Sequence, residues 1–91
     1  MRRLDMDRDA AKYLQDLDAK QYKQVASRML SLMVNAAPAD YSQLKGYSYY
    51  RVDNGEYRIV CRFDTDTVYI ALIGKRNGDE VYDRLKRKGL S

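Results

Sequence analysis

The sequence predicts an α+β fold, in which an N-terminal helical hairpin packs on a mainly antiparallel sheet of three to four strands and a short helix closes the chain. Three observations lead to this prediction. Apolar residues recur every three to four positions in the first third, the period changes to two further on, and charges near the C-terminus are ordered as a helix dipole prefers. With 91 residues, of which 45% are hydrophobic, the chain can form one modest core, so residues 1–91 are expected to be a single domain.

Two amphipathic helices are predicted before the sheet. The first covers about residues 9–17, and Asp7 or Asp9 can cap its start. The second covers about residues 19–36 and presents an apolar face, with Pro38 preventing its continuation. The short link between them predicts an antiparallel hairpin. The apolar positions assigned to the face of the second helix are Tyr22, Val25, Met29, Leu32 and Met33.

The predicted strands are a short one at residues 2–6 and three longer ones, at about 48–53, 56–63 and 67–73. Asn54-Gly55 is a strong hairpin signal, because a type I′ turn needs positive φ at both central positions. The last strand is apolar on both faces and is therefore expected inside the sheet. A final helix is predicted from near Asn77 to Gly89, with acidic residues in its first turn and basic residues in its last.

The net charge of +4 favours an anionic partner, with nucleic acid, an acidic protein segment and an anionic membrane all left open by charge alone. The chain has no apolar run that could serve as a signal peptide or membrane span, so a cytoplasmic location without membrane attachment is expected. Basic residues crowd the predicted final helix: Arg84, Lys86, Arg87 and Lys88.

The chain has one cysteine and no histidine. Cys61 therefore cannot form an intrachain disulfide and lacks the usual partner of a cysteine nucleophile. Its position within a predicted strand indicates a small buried thiol. We expect a site that uses no metal and no cofactor.

Arginines on the predicted hairpin form the first candidate site. If Asn54-Gly55 is a two-residue turn, Arg51 faces Arg58 across the hairpin. Like charges directly opposite on a sheet are unfavourable, so such a pair suggests an anion bound between them. The alternative is a solvated face, in which diagonal links to Asp53 and Glu56 relieve the repulsion.

A set of short motifs follows the same order along the chain as in RelE-like toxins of the RelE/ParE superfamily. They are Leu44-Lys45-Gly46, Arg51, Gly55-Glu56-Tyr57-Arg58, Gly74-Lys75-Arg76 and Tyr82. The predicted order of two helices, three strands and a helix also resembles that family. Each motif alone is weak, whereas the ordered set is moderately specific and covers most of the chain.

The resemblance implies the toxin of a type II toxin–antitoxin system, a ribosome-dependent endoribonuclease that cuts mRNA in the A site through metal-independent attack by a 2′-hydroxyl. Its implied partners are a cognate antitoxin, the ribosome and mRNA, with self-association only through the antitoxin complex. Carried over by position, Arg58 and Arg76 would hold the scissile phosphate, and Arg51 would take a basic position of the family. Tyr82 would orient or deprotonate the 2′-hydroxyl or stack on a base. The implied RNA-binding residues are Lys45, Lys75, Arg84, Lys86, Arg87 and Lys88.

Several of these residues also have a purely structural interpretation. Tyr82 can equally be a packing residue beside Val81 and Leu85, and the basic C-terminus can be a solvated helix end. Asp53 departs from the family, where relatives often have a second lysine or arginine; it can act as a base, pair with Arg51, or leave the nuclease weak or inactive. Two other functions stay open: a ParE-like, non-enzymatic inhibitor of DNA gyrase, and an RNA-binding module that does not cleave. The combination of Arg76 with Tyr82 favours the nuclease.

Overall fold

The computed structural model describes residues 1–35 and 41–89. Its order of elements is β1 (Arg3–Met6), α1 (Arg8–Gln15), α2 (Ala19–Val34), β2 (Ser42–Gln43), β3 (Tyr50–Asn54), β4 (Tyr57–Phe63), β5 (Thr67–Lys75) and α3 (Glu80–Lys88). The strands form one sheet in the order β1-β5-β4-β3-β2, in which β1 runs parallel to β5 and the other pairs are antiparallel. The predicted α+β class is confirmed, with β2 as an additional strand.

Side-chain caps define the starts of the first two helices. Asp7 accepts a hydrogen bond from the backbone N–H of Asp9 at 2.9 Å, and Asp18 accepts one from that of Gln21 at 2.9 Å. Helix α2 ends at Val34, with the extended Asn35 as its C-cap, which is earlier than the predicted end at Ala36. The stop predicted at Pro38 lies outside the described residues. No helix in the described ranges is long and apolar enough to cross a bilayer.

The apolar face predicted for α2 is largely confirmed, since Val25, Met29 and Leu32 are buried. Tyr22 was assigned to that face wrongly, because its side chain is 44% exposed. It lies in the first turn, at the flank of the buried stripe.

The core lies on both faces of the sheet. On one side, which we call the helical-pair face, strand residues such as Ile59 and Ile70 pack against α1 and α2. On the opposite side, which we call the α3 face, Val60 and Leu72 pack against α3. Both faces of β5 are therefore buried, as its apolar sequence predicted.

The β3–β4 hairpin turns one residue later than predicted. Asn54 pairs with Tyr57, so the two-residue turn is Gly55-Glu56. Gly55 has φ of +60°, whereas no described residue other than glycine has positive φ, which fits a type II′ turn and not type I′. The predicted Arg51–Arg58 pair is therefore wrong. Arg58 faces Asp53, and Arg51 faces Val60.

An irregularity between β4 and β5 sets which residues reach the α3 face. Cys61 pairs with Ile70 and Val60 pairs with Leu72, so Ala71 is an extra residue in β5. Ala71 and Leu72 both belong to the cluster on the α3 face. Because of this shift, Gly74 lies opposite Arg58 on that face.

Burial makes the thiol of Cys61 unreactive, which gives a direct test of the core. Its side chain is fully buried, and burial raises the pKa of the thiol to about 12. We expect a charged aromatic disulfide reagent to leave the native protein unmodified at neutral pH and to label it rapidly in denaturant. Rapid labelling of the native protein would contradict this packing.

Candidate functional site

The centre of the candidate site is a row of three residues across the α3 face: Asp53 on β3, Arg58 on β4 and Gly74 on β5. Arg58 donates from Nε to Asp53 Oδ1 at 2.8 Å and from Nη2 to Oδ2 at 3.3 Å. Its side chain is only 14% exposed. The hydrogen bonds to Asp53 raise the pKa of this guanidinium above its usual value, against the opposing effect of burial, and Tyr82 adds to the rise.

A second arginine binds the same carboxylate. Arg51 Nη1 donates to Asp53 Oδ2 at 3.3 Å. Of the alternatives that the sequence left open for Asp53, the structure shows the ion pair, and it includes Arg58 as well as Arg51. The two arginines that were predicted to bracket an anion therefore bracket this carboxylate.

Gly74 lets α3 approach the row. A Cβ atom at this position would lie 3.1 Å from Val81 Cγ2 and 3.2 Å from Arg84 Nη1, so any side chain here would crowd these two residues of α3. The close approach brings Tyr82 near Arg58. Tyr82 is half-buried against the core of the α3 face and also influences the pKa of Arg58, so it both packs and lies at the site.

Arg76 follows the end of β5 and continues its pairing. Its backbone N–H donates to the carbonyl of Glu56 at 2.9 Å, and strand alternation from Gly74 assigns it to the α3 face. Its side chain is exposed and, within residues 1–35 and 41–89, has no ion-pair partner. Arg76 and Arg51 lie on opposite sides of the central row, with Arg58 between them.

The two lysines predicted beside the site lie apart from each other. Lys45 is exposed in the turn after Leu44, a residue that packs on the α3 face. Lys75 pairs with Tyr57, whose ring belongs to the core of the helical-pair face. The register thus places Lys75 on the opposite face from Arg58, and the structure does not bring the two together.

Two of the four basic residues of α3, Arg84 and Lys88, contact other elements of the fold. Arg84 Nη1 donates to the carbonyl of Ile73 at 2.6 Å, and its guanidinium lies 5.0 Å from the ring centroid of Tyr13. Lys88 Nζ lies 2.9 Å from an oxygen of Asp7 and 2.8 Å from one of Asp9. These contacts join α3 to α1. Lys86 and Arg87 are exposed and remain the candidates on this helix for contact with a phosphate backbone.

The sequence reasoning missed one arginine on the α3 face. Arg62 is exposed, and its guanidinium lies 5.7 Å from the ring centroid of Tyr49 and 4.9 Å from that of Tyr69. Alternation along β4 could have placed Arg62 on the face of Arg58, but the tyrosines that flank it come from neighbouring strands and required the register.

Comparison with known proteins gives the family. A sequence model described as the ParE toxin of the parDE type II toxin–antitoxin system matches residues 4–80, which is most of the chain. The chain belongs to this toxin family. It is a type II toxin–antitoxin toxin of the RelE/ParE superfamily, as the resemblance in its sequence implied. No curated protein matches this toxin by sequence.

Solved structures confirm the fold of this RelE/ParE toxin. The isolated Escherichia coli RelE toxin is 22% identical with a TM-score of 0.72, and the match covers 99% of this chain and 100% of RelE. A chain of the intact E. coli RelBE toxin–antitoxin complex is 21% identical with a TM-score of 0.70, and the match covers 86% of this chain and 100% of that chain. The Staphylococcus aureus YoeB–YefM complex contains a chain that is 24% identical with a TM-score of 0.65; the match covers 86% of this toxin and 99% of that chain.

The site of this toxin offers a guanidinium fork, an exposed cation and a phenol at one end of the α3 face. Within the described ranges, no group of three or more histidine, cysteine, aspartate or glutamate residues could hold a metal ion. Arginine forks bind the oxygens of a phosphate in the same geometry as those of a carboxylate. The arrangement can thus bind a phosphate if the carboxylate of Asp53 moves away from Arg58.

Proposed function

We propose that this toxin is a ribosome-dependent endoribonuclease that cuts mRNA in the A site. The observation that carries the proposal is the position of Arg58, Arg76 and Tyr82 around one end of the α3 face. Arg58 and Arg76 provide positive charge for a phosphate, and Tyr82 supplies a phenol that can exchange a proton, whereas the carboxylate of Asp53 is engaged by Arg51 and Arg58. The exposed Lys45, Lys86 and Arg87 would contact RNA backbones around the site.

The reacting groups are the RNA itself and side chains of this toxin. The 2′-oxygen attacks the adjacent phosphorus, and the bond from phosphorus to the 5′-oxygen breaks, which leaves a 2′,3′-cyclic phosphate and a 5′-hydroxyl. Negative charge grows on the phosphate oxygens in the transition state, where Arg58 and Arg76 stabilise it. Tyr82 orients the 2′-hydroxyl and relays its proton: the phenol oxygen accepts the proton from the 2′-oxygen as the phenolic proton passes, directly or through solvent, to the leaving 5′-oxygen. The ribosome supplies the remaining requirement, a transcript held in a fixed geometry.

A cognate antitoxin is the proposed protein partner. The family belongs to toxin–antitoxin systems, and the structure of the intact E. coli RelBE complex supports such a partner. On α2, Leu30 is 57% exposed and Val34 is 75% exposed. The contacts of Arg84 and Lys88 hold α3 in place. An antitoxin segment that covers α2 therefore fits this structure better than one that displaces α3.

Inhibition of DNA gyrase without catalysis is the second candidate. It is favoured by the match to the ParE family and by Asp53, whose carboxylate offsets much of the positive charge of Arg51 and Arg58. In this account the α3 face would bind a protein, and Arg76 would make a contact without taking part in any reaction.

Mapping of transcript ends after induction distinguishes the two candidates. We expect new 5′ ends inside translated codons within minutes, and their loss from a reporter whose start codon is removed, because the nuclease needs a translating ribosome. Plasmid supercoiling should stay normal. Intact transcripts together with inhibited supercoiling would refute the nuclease proposal and support the gyrase one.

A further inference from the structure

The contact between Asp53 and Arg58 has the form of an arginine–phosphate contact. Both carboxylate oxygens accept from one edge of the guanidinium, at 2.8 Å and 3.3 Å. Arg51 adds a third hydrogen bond at 3.3 Å. A phosphate with two oxygens at these positions would satisfy the same donors. Asp53 and a phosphate cannot both use this edge of Arg58.

We propose that Asp53 is an internal competitor that occupies the phosphate position of the site, so that an RNA phosphate binds Arg58 only by displacing the carboxylate. This inference rests on the proposed function, because it assumes that the site receives a phosphate. Asp53 then lowers the affinity of the toxin for RNA phosphates. It is therefore a specificity determinant, and it is not a catalytic residue.

The surroundings of Asp53 allow the carboxylate to leave. Its side chain is 26% exposed, and that of Arg51 is 35% exposed, so solvent and ligand reach both. In the described part of the chain, β2 pairs only with Tyr50 and Arg51, so no strand lies along the outer side of β3 at Asp53. The hairpin register does not depend on the ion pair either, because the β3–β4 ladder and the hydrogen bond from Asn54 to the carbonyl of Gln24 hold it.

The exchange gives a physical reason for dependence on the ribosome. A free RNA competes with a carboxylate that is tethered beside Arg58 at a high effective concentration. A transcript held in the A site is also positioned before it binds, so its phosphate competes with the carboxylate at a comparable effective concentration. Arg76, which has no carboxylate partner within the described residues, makes the first contact with the phosphate.

Binding of a fluorescent 2′-deoxy oligonucleotide, which the proposed chemistry cannot cut, tests the inference by anisotropy. We expect Asp53→Asn to bind about tenfold more tightly than wild type, because the lost competitor is a charge-assisted hydrogen-bonding partner. The matched control is Asp83→Asn on α3, an exposed residue whose substitution changes the net charge equally. The control should gain much less affinity. Inorganic phosphate should compete with the probe more effectively in Asp53→Asn than in the control.

An Asp53→Asn protein that binds no more tightly than Asp83→Asn, or more weakly than wild type, would overturn the inference, since the change in net charge alone would then account for the whole effect. Asp53→Ser repeats the test if the asparagine variant does not fold, as judged by circular dichroism. Tighter binding by Asp53→Asn without cleavage on ribosomes would support this inference and count against the proposed nuclease, so the two can fail separately.

Discussion

Arg76→Ala is expected to abolish growth arrest on induction and to lower the rate of transcript cleavage by about 10² to 10³, the usual effect of removing one donor that stabilises transition-state charge. Arg76 has this weight because its cation is exposed and has no ion-pair partner in the described ranges, whereas Arg51 and Arg58 bind Asp53. Without Arg76, the two arginines that remain at the site are both paired with Asp53 before RNA binds. Growth curves and quantified cleavage products measure the effect.

The control for this variant is Lys12→Ala, which removes an exposed cation from α1, away from the α3 face. Its toxicity should match wild type, which shows that net charge alone is not responsible. Arg76→Ala should also unfold at the same denaturant concentration as wild type, because Arg76 is exposed and its side chain has no ion pair with any described residue, and such residues contribute within about 0.5 kcal/mol. Full toxicity of a folded Arg76→Ala protein would contradict the role assigned to Arg76.

Arg84→Ala is expected to lower the free energy of unfolding by about 2 kcal/mol, the largest effect on stability among the basic residues of α3. Its guanidinium donates to the Ile73 carbonyl at 2.6 Å and lies 5.0 Å from the Tyr13 ring centroid. The substitution removes a charged hydrogen bond and a cation–π contact that together join α3, β5 and α1. Urea unfolding followed by circular dichroism gives the change directly.

Arg87→Ala on the same helix provides the comparison, since Arg87 is exposed. Its unfolding free energy should stay within about 0.5 kcal/mol of wild type. Equal stability of the two variants would show that the contacts of Arg84 do not hold α3 in place, and the argument against an antitoxin that displaces α3 would then rest on Lys88 alone.

The elements that the sequence predicted well depend on local patterns. The helices follow from apolar spacing and caps such as Asp18, and β5 follows from a continuous apolar run. The hairpin was also recognisable, but its register was not, because Gly55 can occupy either central position of a two-residue turn. That difference of one residue replaced an arginine pair by the Arg58–Asp53 ion pair.

The placement of Arg58 on β4 and of Arg76 at the end of β5 was predictable, because each follows from the pattern of its own segment. Their role in a site stays a prediction. The separation of Lys75 from Arg76 was also available from strand alternation. Contacts across the chain were not available. Lys88 and Asp7 are 81 positions apart, so a helix end that looks solvated in the sequence is an ion pair between α3 and α1 in the structure. Only the tertiary packing distinguishes Lys88 from the exposed Lys86.

We propose that this toxin cuts RNA through the 2′-hydroxyl at the Arg58–Arg76–Tyr82 site. Its most direct test uses purified toxin and ribosomes programmed with a short mRNA, whose A-site codon carries either ribose throughout or a single 2′-deoxy sugar at the cleaved position. We predict that the ribose transcript is cut to a 2′,3′-cyclic phosphate and that the 2′-deoxy transcript stays intact. Equal cleavage of both transcripts, or of neither, would contradict the claim.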